Sequence, residues 1–280
     1  MTMKSAAPIA LKRAGRKAAT SFGAVTARWR SGPAFLLVGG QRCGTTSLFR
    51  ALIAHPAIVS ANYHKGVNYF DVNYARGPSW YRGHFPIERD GQRRCFDASG
   101  YYMFHPHAPG RILHDLPGIK IVAMVRDPVE RAYSAYQHEY ARGFESESFD
   151  RALELESRRV GPELDRMLAD EGYQSMVHRH QAYRARGHYA DQLQPFVDAL
   201  GRSQVHVMES ERFFAEPEQE YARLLEFLGA PVAMPARFDR YNARSRAPMG
   251  ESVRDELTDY FAAHDERLSQ LLGRAPVWRT

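Results

Sequence analysis

The stretch from Phe35 to Ile53 constrains the fold of this chain more than any other part. Its four apolar residues 35–38 predict a buried strand, the glycines at 39, 40 and 44 predict a loop, and residues 48–53 predict a helix. Amides at a helix N-terminus lack helical partners, and the helix dipole favours an anion there. Three hydroxyl side chains at this helix start can donate to the same anion: Thr45, Thr46 and Ser47. The stretch therefore predicts a phosphate-binding cradle.

The spacing of this loop comes close to the nucleotide-binding pattern G-x-x-x-x-G-K-[ST]. Gly39, Gly44 and Thr46 match it, whereas Thr45 occupies the lysine position and Arg42 is the nearest cation. A nucleoside triphosphatase without that lysine lacks its main contact to the β- and γ-phosphates. The loop thus favours one phosphate with a transferring group over a magnesium-bound triphosphate. The alternative interpretation is a glycine turn between any strand and helix.

The net charge of +6 comes from the first 32 residues, which contain seven lysines and arginines and no acid. Residues 33–280 therefore sum to −1, which argues against a nucleic-acid-binding body. We predict a basic, flexible arm over residues 1–32 and one domain over residues 33–280. Apolar residues between the cations would let the arm lie on an anionic membrane surface; the alternative is a solubilising tail.

The two cysteines, Cys43 and Cys95, predict neither a disulfide framework nor a metal site. No run reaches the ~18 apolar residues of a membrane span. A reducing, cytoplasmic location is therefore the expectation, with membrane association through the arm as an addition. Composition does not indicate an oligomeric state.

A second apolar run, residues 119–125, predicts another buried parallel strand and ends in Arg126-Asp127-Pro128. Asp127 is a good N-cap and Pro128 a good first residue for the helix that follows. Arg126 thus lies at the carboxyl end of a strand, where open α/β sheets bind ligands. The helix places Ser134 and His138 on one side. Its inner face is predicted to carry Val129, Ala132, Tyr133, Tyr136 and Tyr140.

Three further short strands are predicted at residues 58–61, 95–98 and 205–208, with helices between them. The predicted helices include one from residue 148 to 156, one over 217–228 stopped by Gly229, and a last one ending at Gly273. A long helical stretch from 164 to 200 breaks at Arg186-Gly187. The fold class is therefore α/β, with a P-loop-like central parallel sheet flanked by helices in a single domain.

Lys65 precedes an apolar step and an aromatic pair, which suggests a lysine held over a pocket; the alternative is an exposed loop lysine. Two His-x-His pairs invite a metal assignment: His105 with His107, and His178 with His180. A third ligand at suitable spacing is not evident, so we predict hydrogen-bonded histidines and no metal.

Two segments together, residues 41–48 and 125–138, resemble the 5′-phosphosulfate loop and the 3′-phosphate motif of sulfotransferases that use 3′-phosphoadenylyl sulfate (PAPS). The likeness is greatest to the carbohydrate-type branch, which includes bacterial and heparan sulfate enzymes. It covers roughly residues 33–278, with later landmarks at Gly187-His188-Tyr189, Glu211, Phe227-Leu228-Gly229 and a late arginine loop.

The resemblance implies PAPS as co-substrate and a transfer that requires no metal. The implied donor-binding residues are Arg42, Cys43, Gly44, Thr45, Thr46, Ser47, Arg126, Ser134, Tyr189, Arg244 and Arg246. Arg42 and Lys65 would steady the bridging and sulfonate oxygens. Sulfuryl transfer, by analogy with phosphoryl transfer, should then depend on positioning and charge stabilisation.

The chain departs from its relatives after Lys65. Many relatives have a glutamate next, often the base that deprotonates the acceptor, and a histidine two residues later; this chain has Gly66 and Asn68. His138 matches a histidine that some heparan-type relatives place in the active site, so it is the first candidate base, with His64 the second.

The leading hypothesis is a PAPS-dependent sulfotransferase acting on a hydroxyl or amine of a glycan, glycolipid or small metabolite. A kinase-like phosphotransferase is the alternative enzyme; Thr45 in the lysine position and the lack of a convincing magnesium carboxylate at a strand end disfavour it. A degenerate PAPS-binding protein is the alternative without catalysis.

Overall fold

The computed structural model describes residues 23–61, 65–87, 93–241 and 247–280. Its strands are β1 (Phe35–Gly39), β2 (Ile58–Ser60), β3 (Arg94–Ala98), β4 (Lys120–Val125) and β5 (Val205–Glu209). They form one sheet in the order β2-β3-β1-β4-β5, and every pairing is parallel. The predicted α/β class with a central parallel sheet is confirmed.

The two apolar runs of the sequence form the middle of this sheet. All of β1 is buried, and so is β4 after its first residue, because neighbours cover both faces of a central parallel strand. Leu36 pairs with Asp97 of β3 on one side and with Ile121 of β4 on the other. The carboxyl ends of β1, β3 and β4 therefore meet at one edge of the sheet.

Helices connect the strands and pack around the sheet. In chain order they are α1 (Thr45–Ile53), α2 (Tyr69–Val72), α3 (Pro78–Arg82), α4 (Ala108–Asp115), α5 (Pro128–Tyr140), α6 (Phe149–Ala169), α7 (Met176–His180), α8 (Tyr189–Leu200), α9 (Ser210–Ala215), α10 (Pro217–Leu228) and α11 (Glu251–Leu272). Short 3-10 turns occur at Ala27–Trp29, Tyr74–Arg76, Ala185–Gly187, Arg202–Gln204 and Val277–Arg279.

Two apolar clusters hold these elements together. The larger cluster surrounds the sheet, and the smaller one joins α5, α6 and α11 through residues such as Tyr133, Phe149 and Phe261. Gly187 lies against the smaller cluster, where an added Cβ would come within 2.6 Å of Phe261 Cε1. The chain therefore needs a glycine there to bring α11 close to the start of α8.

The predicted start of α5 and the predicted glycine ends of α10 and α11 are confirmed. Asp127 accepts a hydrogen bond from the amide of Val129, and Pro128 is the first residue of α5. Gly229 follows α10 with a φ of 64°, and Gly273 follows α11 with a φ of 72°. These left-handed conformations suit glycine and end a helix.

Three predictions about helices were wrong in detail. Tyr140 was predicted to face inward, but it is 54% exposed at the end of α5. The helix from residue 148 continues to Ala169 instead of 156. The predicted stretch 164–200 is divided among the end of α6, α7, a 3-10 turn and α8. Helical periodicity continued across these boundaries, and the capping by Ser175 at α7 was not recognised.

Residues 1–22 of the predicted arm lie outside the described residues. Residues 23–32 are described, and they pack against the segment that follows α3. Arg30 is buried and donates a 2.6 Å hydrogen bond to the carbonyl of Phe85. This part of the arm thus belongs to the folded body. Among the described residues, the helices are too short or too polar to cross a membrane.

Candidate active site

The loop between β1 and α1 has the conformation of an anion cradle. Arg42 and Gly44 have φ values of 68° and 84°, and Gly44 directly precedes α1. A Cβ at Gly44 would lie 3.0 Å from Phe214 Cε2, so both the backbone and the available space favour glycine. The first amides of α1 point out of its N-terminus, as those of any α-helix do. The helix start predicted from the sequence is confirmed.

Lys65 lies beside this helix start. Its Nζ donates hydrogen bonds to Thr46 Oγ1 at 3.1 Å and to Thr45 Oγ1 at 3.3 Å. Burial, with Arg50 as a second cause, lowers the pKa of Lys65 to about 8. The interpretation of Lys65 as an exposed loop lysine is therefore wrong, and a second cation joins Arg42 at the loop.

The second predicted anion site lies against the first. Arg42 Nε donates a 3.1 Å hydrogen bond to Ser134 Oγ of α5, and Arg126 Nη1 donates to the Arg42 carbonyl at 3.4 Å. Glu130 lies 3.6 Å from Arg126 Nη2 and restrains that guanidinium. Arg42, Arg126 and Ser134 thus come together from two strand ends and one helix.

Three predicted donor-binding side chains lie behind the loop. The Cys43 thiol is buried 3.7 Å from the Tyr189 hydroxyl, and burial raises its pKa to about 11. The Tyr189 hydroxyl donates to the Arg126 carbonyl at 2.8 Å, so its direct contact with a donor, which the resemblance implied, is not supported. The hydroxyl of the buried Ser47 accepts the amide of Tyr241 at 3.0 Å. These side chains lie on the inner side of the loop and hold it in position.

A cavity of about 890 Å³ extends from the loop along α5. The predicted site residues that line it are Arg42, Gly44, Thr45, Thr46, Arg126, Ser134 and His138. Other lining residues were not predicted from the sequence, among them Tyr136, Phe214, Arg240 and Tyr241. The Arg240 guanidinium lies 4.5 Å from the Phe214 ring centroid, which closes one wall. Phe214 follows β5, so the strand-end rule that found Arg126 could also have found it.

A smaller cavity of about 300 Å³ opens on the other side of the loop. It shares Arg42, Thr45, Thr46 and His138 with the larger cavity, so these residues stand between the two. Its remaining lining consists of Gln41, Lys65, Asn68, Ala98, Ser99 and Gly100. Apart from the cations Arg42 and Lys65, the lining of this cavity is mostly polar and uncharged.

The sequence did not predict that Gln41, Asn68 and Ser99 line a cavity. Gln41 Nε2 donates a 3.0 Å hydrogen bond to the buried carboxylate of Glu139, which His180 Nδ1 also contacts at 3.0 Å. That buried acceptor fixes which end of the Gln41 amide faces it. Ser99 follows β3, and because β3 pairs with β1, its position could have been found from the sheet order.

The His-x-His pairs are hydrogen-bonded within the protein. His178 Nδ1 contacts the Tyr101 hydroxyl at 2.7 Å, and His107 Nε2 contacts the Met167 carbonyl at 2.6 Å. Within the described ranges, one other group could hold a metal: His188, Asp191 and His264. Arg267 occupies that place, with its guanidinium 2.9 Å from Asp191 and 2.6 Å from His264 Nδ1. A cation therefore already contacts two of these three residues, and His188 Nε2 contacts the Tyr260 hydroxyl at 2.9 Å. Arg244, Arg246 and His64 lie outside the described residues.

Comparison with known proteins points to the same family that the two sequence motifs resemble. A family model described as "Sulfotransferase domain" matches residues 33–248. Among solved structures, a sulfotransferase from Alicyclobacillus acidocaldarius is 31% identical, with a TM-score of 0.73; the match covers 89% of this chain and all of that one.

Two of the curated relatives illustrate the match, and each covers 88% of this chain. The membrane-associated sulfotransferase kil1 of Dictyostelium discoideum is 25% identical, and the chain spans 66% of its length. The bifunctional heparan sulfate N-deacetylase/N-sulfotransferase 2 of Mus musculus is 28% identical, and the chain spans 30% of its length. The domain model matches most of the chain, and the structure brings the glycine loop, Arg126 and Ser134 into one site. The chain therefore belongs to the sulfotransferase family.

Proposed function

We propose that this protein transfers a sulfuryl group from PAPS to a hydroxyl or amine and releases 3′,5′-adenosine bisphosphate (PAP). The observation that supports this most is that both predicted anion sites border one cavity of about 890 Å³. PAPS carries a 5′-phosphosulfate and a separate 3′-phosphate, so it needs two such sites on one surface. A triphosphate would need its charges bound along a single loop.

In this proposal the helix start of α1 binds the 5′-phosphosulfate. Thr45, Thr46 and the Gly44 backbone would donate to its phosphate, and Arg42 and Lys65 would neutralise the charge that develops on the bridging oxygen. Arg126 and Ser134 would bind the 3′-phosphate with a guanidinium fork and a hydroxyl. The scheme assigns no role to a metal.

His138 is the third catalytic residue in this proposal. Its half-buried ring lines both cavities, so it can reach a group bound in either. This position supports contact with the reacting group of the acceptor. The sequence made His138 the first candidate base.

The smaller cavity is the proposed acceptor site. Its amide and hydroxyl groups, from Gln41, Asn68 and Ser99, support a polar acceptor such as a glycan, the head group of a glycolipid or a small metabolite. One relative is named for heparan sulfate, which agrees with a glycan. An apolar acceptor would leave the remaining hydrogen-bonding positions of these side chains unused.

We further propose a cytoplasmic protein that contacts an anionic membrane through residues 1–32. The cations of this segment other than the buried Arg30, and the membrane association in the name of one relative, support that contact. The free thiols of Cys43 and Cys95 agree with a reducing compartment. Binding of the full chain to vesicles with and without phosphatidylserine tests it.

The test of the main proposal compares two ligands and one reaction. PAP should raise the melting temperature more than ATP with magnesium does, because a ligand that binds the native state stabilises it. Sulfur-labelled PAPS should transfer its label to an acceptor in a lysate, and EDTA should leave that transfer intact. A strict requirement for a divalent metal, or a preference for ATP, would support a phosphotransferase instead. PAP binding without transfer would support a degenerate binding protein.

A further inference from the structure

Gly66 stands where the resemblance to sulfotransferases implies a glutamate that acts as the base, and this position has no room for a side chain here. Gly66 has a φ of 124°, and a Cβ added to it would lie 2.4 Å from the Ala98 carbonyl oxygen. The adjacent amide of Val67 donates to Asp97 Oδ1 at 2.9 Å and holds this backbone against β3. If an acceptor loses a proton in the smaller cavity, another group must receive it.

A buried carboxylate reaches the smaller cavity through one hydroxyl. Ser99 lines the cavity, and its Oγ donates a 2.9 Å hydrogen bond to Asp71 Oδ2. Asp71 and Ser99 are 3% and 6% exposed. The amide of Ser99 donates to the Leu37 carbonyl of β1 at 3.0 Å, which fixes Ser99 beside the phosphate loop. Asp71 itself lies behind the wall, and Ser99 is its link to the cavity.

The hydrogen bonds of Ser99 leave one position for an acceptor molecule. A serine hydroxyl has one hydrogen and two lone pairs. The hydrogen is shared between Asp71 Oδ2 and the more distant Asn68 Oδ1 at 3.3 Å, and one lone pair receives the amide of Tyr101 at 3.2 Å. Among the described residues this leaves the second lone pair of Ser99 for a donor in the cavity. A hydroxyl or amine bound there would donate to it.

We propose that Asp71 accepts the proton of the acceptor through Ser99, in place of the glutamate that Gly66 excludes. This inference rests on the proposed sulfuryl transfer and assigns its proton path. Asp71 is a general base that acts through Ser99, and Ser99 is the residue that contacts the acceptor. His138 lines both cavities and contacts the same group without receiving its proton.

The step balances in atoms and charge. The acceptor oxygen or nitrogen forms a bond to sulfur while the bond from sulfur to the bridging oxygen of PAPS breaks, and that electron pair leaves on PAP. The acceptor proton moves to Ser99 Oγ as the Ser99 proton moves to Asp71. The neutral carboxyl of Asp71 then releases its proton to solvent before the next turnover.

The electrostatic surroundings of Asp71 suit a base at neutral pH. Burial is the main cause that raises its pKa to about 6, against hydrogen bonds from Ser99 and the Val72 amide. Asp71 is thus ionised at pH 7, and its basic form is lost as the pH falls through about 6. The titratable and charged groups that face Asp71 are Arg179, Asp97, Tyr101, Tyr102 and Arg111. Arg111 donates a hydrogen bond to the backbone carbonyl of Asp71.

The experiment measures PAP release from PAPS by the full chain between pH 5 and 8. Water is always present as an acceptor, and glucosamine is added as a probe with both hydroxyl groups and an amine. Ser99→Ala and Asp71→Asn should each lose about 10²–10⁴-fold in turnover at pH 7, the usual contribution of general base catalysis. Both should lose the fall in rate below pH 6 and keep PAP affinity. Ser99→Thr retains a hydroxyl and should retain both the rate and the acid limb.

Asp97→Asn is the matched control, because it alters a buried carboxylate nearby that does not contact Ser99. It should keep the acid limb, moved to lower pH, since Asp97 raises the pKa of Asp71. If Asp71→Asn does not fold, as judged by PAP-dependent melting, the two Ser99 variants decide. Retention of the acid limb in Ser99→Ala would overturn the proposal. PAPS turnover by none of the proteins would instead overturn the proposed function and this inference with it.

Discussion

Arg42 Nε donates a 3.1 Å hydrogen bond to Ser134 Oγ, joining two motifs that lie 92 residues apart in the sequence. In the proposed function, one motif would bind the 5′ end of the donor and the other its 3′-phosphate, so this contact would set the distance between the two anion sites. It also connects the loop after β1 with α5, whose start follows β4. The donor would therefore meet a surface whose two halves are already in place.

We expect Arg126→Ala to weaken PAP binding by roughly 1.5–3 kcal/mol, the range for a hydrogen bond to a charged group. Arg126 lines the donor cavity and supplies a guanidinium to the proposed 3′-phosphate site. Isothermal titration with PAP measures the loss. Arg254→Ala is the matched control, because Arg254 contacts the same Glu130 at 2.8 Å but does not line the cavity. Equal PAP affinity in both variants would remove Arg126 from the site.

We expect Thr46→Ala to reduce kcat/KM for PAPS by about 10- to 100-fold, the range for one lost hydrogen bond to a charged group. The Thr46 hydroxyl borders both cavities and holds Lys65 at 3.1 Å, and Thr45→Ala should have a similar effect. Ser47→Ala is the control, since its buried hydroxyl contacts Tyr241 instead. Steady-state rates at varied PAPS measure these losses. A larger loss in Ser47→Ala would mean that the loop conformation matters more than the threonine hydroxyls.

The pKa of Lys65, lowered to about 8, predicts a fall in kcat/KM above that pH. A lysine whose pKa is depressed loses its charge at lower pH than usual, and the sulfonate would then lose a cation. Because kcat/KM reports the free enzyme, bound PAPS does not mask this limb. Lys65→Arg keeps its charge and should move the limb above pH 10, whereas Lys65→Met should be slow at every pH. A basic limb unchanged in Lys65→Arg would assign it to another group.

A stability prediction follows from Gly187. A Cβ there would lie 2.6 Å from Phe261 Cε1 and 3.0 Å from Pro128 Cβ, so Gly187→Ala should destabilise the fold by about 1–3 kcal/mol through overpacking. Gly110 in α4 has no heavy atom near its would-be Cβ, and Gly110→Ala should stabilise by ~0.5–1 kcal/mol. Urea unfolding of both variants gives the two values. Equal stability would show that α11 can shift away from residue 187.

Local patterns predicted the parts of the site that lie within one strand–loop–helix unit. The glycine loop at Gly44, the strand-end Arg126 and the cap at Asp127 each follow from residues adjacent in sequence. Their backbone conformations are set locally, so a short motif contains the information.

The remaining parts depend on contacts between distant segments. Ser99 reaches the loop because β3 pairs with β1, and Asp71 is buried because α2 packs behind that strand end. Tyr189 was implied to touch the donor, yet its hydroxyl holds the Arg126 carbonyl from inside the fold. Sequence spacing does not specify whether such a side chain faces the cavity or the interior of the fold. The sheet order and the packing around the residue determine its direction.

The last prediction concerns His138, which the sequence made the first candidate base. Protonation removes the base whether it is a histidine or a carboxylate, so an acid limb in the wild-type profile alone does not separate His138 from Asp71. If His138 contacts the acceptor without taking its proton, His138→Ala should lose about 10-fold or less in turnover, the value of one neutral hydrogen bond, and keep the acid limb. The pH–rate profiles of His138→Ala and Ser99→Ala, measured side by side, make the comparison. A loss of about 10²–10⁴-fold together with loss of the limb in His138→Ala, and its retention in Ser99→Ala, would return the base to His138.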